Sequence, residues 1–422
     1  MIRTLLLTLC AVMSLRGYAA DPVLLLPKTG LHADELAVIV NIDDGLSRAI
    51  GKYYQQRRGI PEQNIIHIRF KPGVAAIEPA EFQRIWVQVQ RQTPENVQAY
   101  ALTWALPYRV GCMSITSAFA TGFDTRYCAA KNSKPCGPTQ QSPYFDSFST
   151  HPYQDFKLRP TMSLAATSFN DAKALIDRGI ASDSSFPEGT AYLLSTSDAA
   201  RNVRAVQFPE TVDLFHTYIN IKLEKSDALR NAKDVLFYFT GLAKVDGLKS
   251  LDFVPGAVAD HLTSAGGILD NNGQMSSLRW LEAGATGSYG TVVEPCNFPQ
   301  KFPVPGIVIR HYLRGETLIE AYWKSVAWPG EGIFIGEPLA SPYGGYRLKQ
   351  YAQATTLRIF LPLTGRYRLE SADNPAGPYA TDTTLTITHS GIQNIELDKL
   401  TRPYYRLMRL LDAREALIKS SR

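Results

Sequence analysis

Long runs of like charge are missing from this 422-residue sequence, as are close cysteine pairs, internal repeats and low-complexity linkers. Each absence removes a class of function. Lys and Arg number 44 against 39 Asp and Glu, and no basic block is long enough to argue for a nucleic-acid partner. Five cysteines are present, none at the short spacings of a zinc site. Beyond the N-terminus no stretch approaches a membrane span. What remains is ordinary for a globular chain with 20% charged and 45% hydrophobic residues, long enough for two or three domains.

The N-terminus "MIRTLLLTLCAVMSLRGYAADP" reads as a secretory signal over residues 1–20, with Arg3 as the positive end, Leu5–Leu15 as the apolar stretch and Ala19–Ala20 as the small-residue cleavage site. Without Arg3 and Arg16 the net charge falls from +5 to +3. The expected mature chain is exported, periplasmic or extracellular, and Cys10, preceded by bulky Leu9, is a poor lipoprotein acceptor. Cys112, Cys128, Cys136 and Cys296 remain, and an even count in an oxidising compartment points to disulfides. "YCAAKNSKPCGP" makes Cys128–Cys136 the expected local staple, which leaves Cys112 for Cys296; two other pairings stay open.

The organisation is that of an α/β protein. "ELAVIVNIDDGLSRAIGKYYQQRRGIPEQNIIHIRF" predicts a strand buried on both faces, a helix started by Asp43, Asp44 or Ser47 and stopped by Gly59 and Pro61, and a second parallel strand. Further strands are expected at 97–106, at "TAYLLSTSD", at 234–241, at 286–295 and at "GIFIGEP". Helices are expected at 82–89, at "FNDAKALIDRGI" and on both sides of Gly315. A polar excursion interrupts the alternation at about 111–160. The expectation is a three-layer sandwich around a mainly parallel sheet over residues 21–350. From about 351 to 422 the texture turns to period-two alternation, which predicts a small β-sandwich, roughly immunoglobulin-like, ending in a short helix or a tail.

Several residues carry chemistry. Asp43, Asp44 and Ser47 end the first strand, where open α/β sheets bind ligands, so a bound cation is one reading and helix capping the plainer one. His261, Thr263 and Ser264 beside Gly266 and Gly267 form the most enzyme-like cluster, with His261 as base for Ser264. Ser288 lies among the small residues of "GATGSYG", which suit a tightly packed strand, and with Thr240 it is also a candidate binding residue. Glu294 follows that strand as an acid, base or ligand. Cys296 as a nucleophile needs His261 or His311 nearby; as a disulfide it needs neither. Arg204, with Asp198 and Arg201, suits a carboxylate on a peptide or acidic glycan.

Five blocks, "VNIDDGLSRAIGKYYQQRRGIPEQNI", "TSAGG", "GATGSYGTVVEPCN", "GETLIEAYWKSV" and "GEPLASPYG", resemble a family of exported bacterial proteins found in species that carry exosortase. More distantly, the order of the central blocks is similar to gingipain-type cysteine peptidases, which implies a caspase-like α/β domain followed by an immunoglobulin-like one. That resemblance also implies a His and a Cys at the ends of adjacent core strands. Here Thr240 stands before Gly241 in place of the His, and Thr263 and Ser264 stand where the Cys is due. The combined expectation is a degenerate peptidase-like fold that binds a peptide or glycan, with a hydrolase rebuilt on Ser264 or Cys296 as the alternative.

Overall fold

The computed structural model describes residues 21–129, 136–270 and 273–410. The expected signal segment and the expected C-terminal helix or tail lie outside the described residues. Strand β1 (Leu36–Asn41) is buried along its whole length. Its side chains alternate between two apolar clusters, Leu36, Val38 and Val40 on one face and Ala37 and Ile39 on the other. Asp44 is the N-cap of the following helix, Gly45–Arg58, and accepts the Leu46 N–H. Gly59 ends that helix at a left-handed φ of 63°, a conformation that costs a glycine little. Strand β2 (Ile65–Ile68) then pairs parallel to β1, with Val38 opposite Ile65.

Eight more strands complete the sheet: β3 (Ala99–Leu102), β4 (Thr161–Ser163), β5 (Thr190–Ser195), β6 (Asn220–Lys225), β7 (Val235–Thr240), β8 (Phe253–His261), β9 (Gly287–Thr291) and β10 (Gly332–Gly336). Their order is β6-β5-β7-β8-β9-β10-β4-β3-β1-β2. Helices cover both faces. Gly45–Arg58, Phe208–Phe215, Pro305–Leu313 and Leu318–Ser325 pack into one cluster, and Pro79–Gln92, Ile115–Thr121 and Leu278–Ala283 into the other. The fold is mixed α/β around a large, mostly parallel sheet.

One pairing departs from the expected uniform direction. All neighbours run parallel except β9 and β10, which are antiparallel from Gly287 opposite Gly336 to Thr291 opposite Gly332. The tips of β5 to β9 therefore face the opposite edge from those of β1 to β4 and β10. Strands β4, β6 and β8 are absent from the sequence reading.

The C-terminal region folds as two small sheets sharing an apolar cluster that contains Leu24, Leu357, Ile359, Leu369 and Leu407. One is built from Tyr346–Gln350, Ala354–Leu361 and Gly391–Asp398, the other from Gly365–Ala372, Ala380–Ile387, Tyr404–Arg409 and the N-terminal strand Val23–Leu25. Val23–Leu25 runs parallel to Tyr404–Arg409, with Leu24 opposite Tyr405. The start of the described chain is thus woven into its end, and the first strand of this unit begins before residue 351. Leu24 is 5% exposed in that cluster. Leu24→Ala should therefore cost about 2–3 kcal/mol, read as a lowered urea midpoint of the protein.

Candidate functional site

The tips of β7, β8 and β9 meet at one edge, where Thr240 lies opposite His261. After His261 the chain folds back over β9. The Gly267 N–H donates to the Thr291 carbonyl at 2.9 Å, and Thr291 Oγ1 lies 3.1 Å from the carbonyl oxygens of Thr263 and Ser264. A Cβ on Gly290 would fall 2.3 Å from the Gly266 carbonyl carbon, and one on Gly267 would fall 2.4 Å from the Gly290 oxygen. Gly290 of "GATGSYG" is thus explained by backbone-on-backbone contact, and Gly287 by the Leu318 and Tyr322 side chains packed against it.

Between this loop and the segment after β9 lies a pocket of about 80 Å³, lined by Arg201, Leu262, Thr263, Ser264, Cys296, Asn297 and Phe302 among others. That is about half the ~150 Å³ known to hold a benzene ring, so it suits a carboxylate or a small side chain. Arg201 Nε donates to Thr263 Oγ1 at 3.0 Å and Nη1 to Asp198 at 2.8 Å, while Thr263 Oγ1 donates to Gln274 Oε1 at 2.7 Å. Arg201 Nη2, Ser264 Oγ and the Asn297 amide have no hydrogen-bond partner among the described residues. These are the donors an anion needs.

His261 is 1% exposed and does not serve Ser264. Trp280 Nε1–H donates to its Nδ1 at 2.9 Å, so Nε2 carries the ring proton and donates to the Met275 carbonyl at 3.0 Å. Both nitrogens are committed, and the expected base is corrected to a neutral structural histidine. Burial pushes its pKa down from 6.5 to about 4, against the upward pull of the Met275 carbonyl; Arg204 and Arg201 push the same way as burial.

The cysteine pairing is also corrected. Cys112 bonds Cys128, 16 residues away, with Cα atoms 5.8 Å apart. Cys136 bonds Cys296 across 160 residues, with Cα atoms 5.7 Å apart. Cys296 is therefore no thiol nucleophile in this state. Its backbone sits at a φ of 52°, and its N–H donates to Glu294 Oε1 at 2.8 Å. Exposed Glu294 shapes that turn rather than the pocket wall. His311, the other partner considered for Cys296, is buried between Glu316 Oε1 at 2.9 Å and Asp146 Oδ1 at 3.1 Å.

The remaining expected ligands are mostly structural. Arg204 is 1% exposed, pairs with Asp260 at 2.5 Å and donates to the Thr240 carbonyl at 2.8 Å. Burial raises the Asp260 pKa against the lowering pull of Arg204. Thr240 and Ser288 are buried, and neither hydroxyl has a partner among the described residues. Asp43, Asp44 and Ser47 lie at the opposite sheet edge, away from this pocket. Asp43 pairs with Arg69, Asp44 caps its helix, and Ser47 Oγ accepts the Asn41 N–H at 2.9 Å and bonds Thr103 Oγ1 at 2.6 Å. No third ligand joins Asp43 and Asp44 for a cation among the described residues. The residues missed by sequence reasoning are Trp280, Gln274, Asn297 and Phe302. Only Trp280 carries a local signal, an aromatic in a short helix, and such a residue suits core packing equally well.

No family model matches the chain, and no curated protein matches it in sequence. Two solved structures are similar to it. One is titled "Structure of Protease", at 11% identity and a TM-score of 0.40, covering 90% of this chain and 97% of that one. The other is the complex of the Porphyromonas gingivalis RgpB pro- and mature domains, at 9% identity and a TM-score of 0.38, covering 89% of this chain and 100% of that one. Among the described residues no helix is long and apolar enough to cross a membrane.

The neutral histidine sets a pH dependence. An unfolded chain takes up the His261 proton near pH 6.5, the folded chain only near 4. The stability that neutral His261 contributes is therefore complete above about pH 6.5 and is lost as pH falls towards 4, up to about 3 kcal/mol. Urea midpoints over that window should fall more steeply for the wild type than for His261→Gln.

Proposed function

We propose that this is an exported, cell-envelope-associated protein that uses a degenerate peptidase-like fold to bind an acidic group of a peptide or glycan without cleaving it. In this proposal the binding serves envelope or extracellular-polymer biology, the setting that the sequence resemblance to a family from exosortase-carrying species suggests. Two disulfides suit an oxidising compartment. The observation that carries the binding reading is the state of the two groups on which chemistry would rest. His261 has both ring nitrogens engaged, and Cys296 Sγ is bonded to Cys136. A nucleophilic hydroxyl needs a proton acceptor, and Ser264 has none among the described residues. What the pocket offers instead is an arginine edge, a serine hydroxyl and an amide.

The alternative, a hydrolase rebuilt on Ser264, is tested by a fluorophosphonate probe. The folded protein should remain unlabelled, and labelling that disappears in Ser264→Ala would replace this reading with the hydrolase.

Binding is tested with acidic peptides and polyuronates by calorimetry. One arginine–carboxylate contact is worth about 1.5–3 kcal/mol, so Arg201→Ala should weaken binding by roughly 10–100-fold. Ser288→Ala, which alters a buried hydroxyl outside the pocket lining, should leave affinity unchanged. Equal affinity for Arg201→Ala and the wild type would remove Arg201 as the anchor.

A further inference from the structure

The Cys136–Cys296 disulfide occupies a different position from its neighbour. Cys296 lines the strand-tip pocket together with Arg201, Ser264 and Asn297, whereas Cys112–Cys128 closes a short loop and neither of its cysteines lines that pocket. Cys136 is 7% exposed and Cys296 is half-buried, so the two residues of the bond differ in exposure. Cys296 is also one of few non-glycine residues at positive φ, at 52°, a conformation unfavourable for a side chain bearing a Cβ. The Glu294 carboxylate accepts its N–H and the disulfide ties its side chain. A half-buried cysteine on a constrained turn, lining one pocket with a guanidinium whose Nη2 is unpaired among the described residues, favours an approaching anion such as a thiolate.

We infer that this disulfide is a thiol-exchange site, opened by an anionic thiol that enters the same pocket. This rests on the pocket being the ligand site proposed above. The incoming thiolate attacks Cys296 Sγ; the new S–S bond joins the thiol to Cys296, the Cys136–Cys296 bond breaks, and Cys136 leaves as a thiolate that takes a proton from water. Where the reactant is a dithiol, its second thiolate attacks the mixed disulfide and frees Cys296. The dithiol is then oxidised to a disulfide, and its two electrons reside in the two protein thiols. Freed from Cys136, the Glu294–Asn297 turn can leave its left-handed conformation and widen the pocket for a bulkier ligand.

The test uses the folded, oxidised mature chain with millimolar reduced glutathione, acid quenching, maleimide labelling and peptide mass analysis. Glutathione should be found on Cys296 and maleimide on Cys136, with Cys112–Cys128 intact. Arg201→Gln should slow the exchange about fivefold, and added salt should slow the wild type more than the variant. Glutathione on Cys136, simultaneous opening of Cys112–Cys128, reaction only in denaturant, or an unchanged rate in Arg201→Gln would overturn the proposal. Acidic-peptide binding by the oxidised protein is scored separately. Its loss with exchange intact contradicts the binding reading alone, and its presence without exchange overturns the thiol site alone.

Discussion

The antiparallel pairing of β9 with β10 is the constraint from which the rest of the molecule follows. It reverses half of a ten-stranded sheet, so the tips of β7, β8 and β9 gather at one edge while the first βαβ unit points its tip to the other. Glycine makes that seam. A Cβ on Gly332 would lie 1.7 Å from Tyr289 Oη, and one on Gly287 would lie 2.7 Å from the Leu318 side chain. Tyr289 crosses the space that Gly332 leaves and donates to the Lys301 carbonyl at 2.6 Å. Residues 284–291 are therefore chiefly a packing seam, and Pro295, Cys296, Asn297 and Phe302 beyond it border the pocket.

Around the seam, charged pairs taken out of water fix where the connecting segments dock. Lys301 and Glu331 meet at 2.6 Å with both side chains buried, and Glu331 also accepts the Ala129 N–H at 3.2 Å. Lys324 and Glu316 meet at 2.6 Å, and Glu316 reaches His311, whose other nitrogen faces Asp146. Arg58 holds Glu337, which Tyr54 also contacts at 2.6 Å. Removing one partner of such a pair typically costs about 3–5 kcal/mol, so each restricts its loop to one seating. The polar excursion at about 111–160 is held by these contacts and by both disulfides. The Cys136–Cys296 bond joins that excursion to the segment that borders the pocket.

The first βαβ unit was legible because three local signals agree there: an apolar run, a capping Asp44, and Gly59 with Pro61 to stop the helix. Strand direction was not. Whether β10 runs with or against β9 depends on a pairing made after two intervening helices, and nothing local to "GIFIGEP" records it. The cysteines mislead for the same reason: the short gap between Cys128 and Cys136 suggested a local staple, while the folded excursion carries each to a different partner. The cluster at His261 and Ser264 lies at the edge opposite Asp43, Asp44 and Ser47, so no single pocket joins them. Its chemistry was misread because Trp280, 19 residues away in sequence, takes the nitrogen that a base requires. Asp43, Asp44 and Ser47 show the converse, since an ion pair, a helix cap and strand-end contacts already engage Asp43 Oδ1, Asp44 Oδ1 and Ser47 Oγ.

Whether the strand tips hold a general base is decided by the protonation geometry of one buried imidazole. Long-range proton–nitrogen correlation spectra of the chain labelled with ¹⁵N-histidine report the tautomer directly. They should show His261 as the Nε2–H form, unchanged between about pH 5.5 and 8, where a solvent-exposed histidine titrates. A ring that titrates in that range, or one carrying its proton on Nδ1 with Nε2 free, would restore a general base at the strand tips and contradict the binding-only reading.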